Sequence, residues 1–125
     1  MALMDSIELK NGSVIDDEKK ALIAASGSVT ENLVLSIDMT KFDGAFIDYV
    51  IYTETYRKFG RLGIFWVNNG SVDPAINEVF SEAFNNIFEY DPVFDLRENG
   101  DFIELVLTVP ASTETWNIKT LNAKL

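Results

Sequence analysis

Phe46-Ile-Asp-Tyr-Val-Ile-Tyr-Thr-Glu-Thr-Tyr-Arg-Lys-Phe-Gly-Arg-Leu-Gly-Ile-Phe-Trp-Val67 is the stretch that decides the fold. Two runs rich in β-branched and aromatic residues flank a short polar break, Thr53 to Arg57, which is the composition of a long β-hairpin. In the first arm Ala45, Ile47, Tyr49 and Ile51 share one face, and Phe46, Asp48, Val50 and Tyr52 share the other. A strand that is apolar on both faces is covered on both. One cover is a second sheet; the other is a loop or a neighbouring subunit. With Phe46, Val50 and Tyr52 toward the core, the face of Ala45, Ile47, Tyr49 and Ile51 is left for a partner. Gly60 and Gly63 interrupt the second arm, as glycines do at a bulge or a close backbone approach.

Working outward, turn signals recur at intervals of about ten residues, the spacing of an all-β chain. Before the hairpin, Ser6 to Gly12 reads as a short strand closed by an Asn11-Gly12 turn. Asp16-Asp17-Glu18 with Lys19-Lys20 reads as a solvated bend before a short strand, Ala21 to Ala25. Leu33, Leu35, Ile37 and Met39 alternate with polar residues, a half-buried strand. After the hairpin, Val93 to Leu96 and Phe102 to Val109 flank Asn99-Gly100, a strong hairpin-turn dipeptide. Pro110 ends that strand. Trp116 to Lys119 makes a last strand and Leu121 to Leu125 a tail. The segment from Asp73 to Phe88 stays open between two readings. Ile76, Val79, Phe80, Ala83, Phe84, Ile87 and Phe88 recur at helical spacing behind an Asp73 cap and Pro74, whereas a β reading comes from the resemblance given below. The expectation is a single antiparallel β-sandwich over 1–125 of about seven to nine strands. Residues 1–18 are its N-terminal arm, and 73–88 hold one short helix if the periodicity prevails.

Composition narrows the chemistry. Among the 125 residues there is no cysteine and no histidine. Thiolate nucleophiles, cysteine-based zinc sites and Ser-His-Asp or Cys-His catalysis are therefore excluded within this chain. A formal charge of −10 argues against nucleic acid, which requires a basic footprint, and against an anionic membrane surface. Met1 to Met4 runs straight into Asp5 and is not a signal peptide, and no run approaches the ~20 apolar residues of a membrane helix. No cofactor or metal is expected. Asp91, Asp95, Glu98 and Asp101 crowd one turn without the spacing of a calcium loop, and read as ordinary acidic turn residues. Asp48 calls for a partner, with Arg57 or Arg61 on the facing arm the natural one. Aromatics at a hairpin serve core, interface or sugar stacking. The residues singled out as interface or glycan contacts are Tyr49, Ile51, Tyr52, Tyr56 and Trp66.

Several segments in order resemble a β-rich domain of tail-fibre and other virion-associated proteins of tailed bacteriophages. They are Phe46 to Tyr52, Tyr56 to Ile64, an Asn-Gly turn, Phe80 to Phe84, Val93 to Asp95 and Asn99 to Thr108, within roughly residues 20 to 120. The resemblance implies a virion structural role without catalysis. It also implies association with other virion proteins and with itself, a trimer being favoured because fibre-like virion proteins are often threefold. The competing expectation is a carbohydrate-binding module that recognises a host-surface glycan.

Overall fold

The computed structural model describes residues 6–23, 28–67, 74–84 and 91–125. These form nine strands: β1 (Ser6–Glu8), β2 (Val14–Ile23), β3 (Thr30–Asp38), β4 (Gly44–Tyr52), β5 (Arg57–Phe65), β6 (Ala75–Phe84), β7 (Val93–Asn99), β8 (Phe102–Val109) and β9 (Thr115–Lys124). One sheet has the order β1-β2-β9-β4-β5-β6 and the other β3-β8-β7. Every pairing is antiparallel. The two sheets enclose one core, so the chain is a β-sandwich as its turn spacing predicts.

The central hairpin forms as read. Tyr52 pairs with Arg57 across a loop of Thr53 to Tyr56, in which the Thr53 hydroxyl oxygen accepts from the Tyr56 amide at 3.1 Å. The two faces of β4, however, are used the other way round. Ala45, Ile47, Tyr49 and Ile51 are buried against Ile103, Leu105 and Leu107 of β8 in the core cluster, and Phe46, Asp48, Val50 and Tyr52 point outward. Asp48 supplies the physical reason. It pairs in register with Arg61, and burying a carboxylate and a guanidinium costs more than exposing Phe46 and Val50.

One reading left open is decided, and two others are corrected. The helix-spaced residues within 75–84 lie in strand β6, hydrogen-bonded along β5, so the β alternative holds; Asp73, Ile87 and Phe88 lie outside the described residues. Pairing satisfies the backbone groups of β5, and Ile, Val and Phe suit a strand, which outweighs an amphipathic period of 3.6. The acidic group Asp16-Asp17-Glu18 is not a bend: it lies within β2, which pairs with β1 on one side and β9 on the other. Leu121 to Lys124 is not a tail but the second half of β9, flanked on both sides by β2 and β4.

Trp116 anchors the core. It is fully buried, meets the Tyr56 ring edge-on with centroids 5.5 Å apart, and donates its indole N–H to the Pro110 carbonyl at 3.2 Å. Tyr49 on one sheet meets Phe94 on the other at 4.8 Å, tying the layers together.

Candidate functional site

Of the residues singled out from sequence, Tyr49, Ile51, Tyr56 and Trp66 are buried inside the sandwich, and Tyr52 alone is half-exposed on the outer side of β4. The Tyr49 hydroxyl donates to Glu78, and burial followed by that carboxylate pushes its pKa well above the usual tyrosine range. Burial, reinforced by the charge of Asp91, pushes Tyr56 up to about 12. Both phenols stay protonated at neutral pH and serve as donors in the fold. Of the acidic turn residues, Asp95 accepts from the Leu96 amide at 2.8 Å. Among the described residues no group of three or more acidic side chains is arranged to hold a metal ion.

What the structure brings together is the outer face of the six-stranded sheet. Register places Leu121, Asp48, Arg61 and Phe80 in one row across β9, β4, β5 and β6. The next row holds Lys119, Val50, Phe59 and Glu82. Phe46, Phe59, Phe65, Phe80 and Leu121 each leave 45–52% of their surface open. The Phe59 and Phe80 rings meet edge-on at 6.4 Å. Arg61 holds Asp48 with two parallel bonds, Nε to Oδ1 at 2.7 Å and Nη2 to Oδ2 at 3.0 Å, and these bonds lower the Asp48 pKa below the ordinary carboxylate value. Tyr52 lies under two cations, with Arg57 at 5.2 Å and Lys119 at 5.8 Å from the ring centre.

Two mainly apolar hollows mark this face. One, about 490 Å³, lies between Val50, Phe59, Phe80 and Leu121, with the Asp48–Arg61 pair beside them. The other, about 360 Å³, is walled by Phe46, Phe65, Val79 and Leu125. The Phe46 ring lies over Gly63, where a Cβ would sit 3.6 Å from it. The second-arm residues were legible: Phe59 and Phe65 alternate in phase with Arg57 and Arg61, which marks their side as solvent-facing. Phe80 and Leu121 were hidden by the helical and tail readings of their segments.

No protein-family model matches the chain, and no curated protein matches it in sequence. Solved structures do. The tailspike protein of Acinetobacter baumannii phage AM24 matches 90% of this chain with 26% of its own length, at TM-score 0.56 and 12% identity. The tailspike of Acinetobacter phage vB_ApiP_P1 matches at TM-score 0.48 and 14% identity, over 98% of this chain and 23% of that one. Tailspike protein gp49 of Acinetobacter baumannii bacteriophage Fri1, described as a capsular polysaccharide depolymerase, matches at TM-score 0.46 and 14% identity, over 98% and 20%. This chain thus spans about a quarter of the length of these proteins or less. The resemblance to phage tail proteins holds at the level of fold. The expectation that the chain is not an enzyme is withdrawn: one of these tailspikes is described as a capsular polysaccharide depolymerase, an activity of that whole protein, of which this chain covers 20%.

Proposed function

We propose that this chain is a β-sandwich domain of a phage tail protein, of tail-fibre or tailspike type, which works in the virion through protein–protein assembly. The observation that carries this reading is the broad apolar outer face on a chain of net charge −10. Such charge keeps a domain dispersed, so a contiguous aromatic surface on it marks a place of contact. The fold likeness to the AM24 tailspike supports the setting. An antibody raised against the chain is expected to label purified particles of the phage that encodes it. Particles free of the chain would overturn the reading.

A second reading is carbohydrate binding, favoured by the apolar hollow of about 490 Å³. There the Phe59 and Phe80 rings stand beside the Asp48–Arg61 pair, the combination of apolar walls and few polar groups that orients a small ligand. Calorimetric titration with host capsular polysaccharide distinguishes it. Heat of binding that disappears in Phe59→Ala supports the sugar, and no heat removes it.

A further inference from the structure

Resting on the assembly reading, the geometry points to the occupant of the outer sheet face: a second copy of this chain, presenting the same face.

Three observations converge. The first is charge. The charged groups on this face, Lys19, Arg57, Arg61 and Lys119 against Asp17, Asp48 and Glu82, nearly cancel, whereas the whole chain carries −10. Copies approaching through other surfaces repel one another. Here they meet without net repulsion, and two of the opposing charges are already joined as Asp48–Arg61.

The second is area. Five long strands at a spacing of ~4.8 Å, each about 30 Å long, make a face of roughly 700 Å². That is close to the ~800 Å² each partner contributes to a standard protein interface. The third is relief. The face is not flat but carries two apolar hollows, one of them walled by the ring of Phe46. Aromatic side chains of an identical surface can seat in them, and a self-complementary patch is what a twofold homodimer uses. The same geometry moves the partner surface from Ala45, Ile47, Tyr49 and Ile51, which the core consumes, to the side of Phe46, Phe59, Phe80 and Leu121.

Light scattering on the purified chain tests this. The wild type is expected at twice the 14.0 kDa chain mass at micromolar concentration. Salt should tighten the assembly, because it screens the repulsion between like-charged copies while leaving apolar contact intact. The double variant Phe80→Glu/Leu121→Glu should run as a monomer. The control Val93→Glu, at an exposed residue of the three-stranded sheet, should leave the mass unchanged. If Phe80→Glu/Leu121→Glu fails to fold, Leu121→Cys replaces it. As the sole thiol of the chain, the introduced group should resist a maleimide in the assembled protein and react when assembly is diluted away. A wild type that is monomeric overturns the inference, with or without sugar binding. An oligomer that survives Phe80→Glu/Leu121→Glu, or one in which the Leu121→Cys thiol stays fully reactive, also overturns it while leaving the assembly reading intact. Absence from virions defeats the assembly reading instead.

Discussion

The hydroxyl of Tyr49 fills the space that a side chain at Gly60 would need. The two residues stand opposite one another in the β4–β5 pair, and a Cβ at Gly60 would lie 2.8 Å from the Tyr49 oxygen and closer still to the Phe80 carbonyl oxygen. Gly60 is therefore what lets Tyr49 reach across β5 to donate to Glu78 on β6. One glycine thus sets the spacing of three strands.

Gly60→Ala should consequently destabilise the domain by about 2 kcal/mol, the scale of overpacking against backbone that cannot yield. The melting temperature should fall on the order of 10 °C. Gly63→Ala is the comparison, since its Cβ would make an ordinary contact with the Phe46 ring. That variant should melt at or slightly above the wild-type temperature, because alanine restricts the unfolded chain. Equal melting of the two variants in a calorimetric scan would show that the Tyr49–Gly60 contact does not constrain the sheet.

At the β7–β8 hairpin, Asn99 pairs with Phe102, so the two loop residues are Gly100 and Asp101, one position later than the sequence reading placed them. Gly100 has φ of +59° and open space where a Cβ would point. Gly100→Val should thus cost about 1–2 kcal/mol through backbone conformation alone. Gly100→Asn should melt close to wild type, since asparagine tolerates this region. Chemical denaturation of the pair measures the difference; two matching midpoints would remove the strain.

The buried tyrosines predict an alkaline transition. Tyr49 and Tyr56 are both held protonated by the fold, while in the unfolded chain each ionises near the ordinary value of about 10. A raised folded pKa contributes stability that is complete below the unfolded value and declines as pH climbs toward the folded one. Stability should hold up to about pH 10 and be lost above it, the Tyr56 contribution fading toward about pH 12. Tyrosinate absorbance should rise together with loss of the β-sheet circular dichroism signal. Full ionisation of the wild type at about pH 10.5 with the sheet intact would contradict the burial of these phenols.

Trp116→Phe should cost about 1–3 kcal/mol. It strips the buried Pro110 carbonyl of its indole donor and shrinks the edge contact with Tyr56. Urea unfolding followed by circular dichroism measures the loss, and an unchanged midpoint would mean that the indole donor contributes nothing.

By itself the sequence determined the class of the fold and, to within one residue, the position of its β7–β8 turn. Period-2 alternation, β-branched and aromatic runs and the Asn-Gly dipeptide act through local sterics, and such signals survive without knowledge of neighbours. That Asp48 pairs with an arginine of the facing arm was legible in the same way, and the register chose Arg61 over Arg57.

Only the tertiary structure decided which side of β4 is core, since a strand apolar on both faces has no local preference and the choice falls to the energy of burying Asp48 and Arg61. Tertiary structure likewise made a strand of Ala75–Phe84 and carried β9 through Leu121, because each supplies the hydrogen bonds that a neighbouring strand would otherwise leave unmet. The outer face with its Phe59, Phe80 and Leu121 exists only once those non-local pairings set four strands side by side. Phe80 and Leu121 are 41 positions apart in sequence yet stand in one row, and no window on the sequence spans that distance.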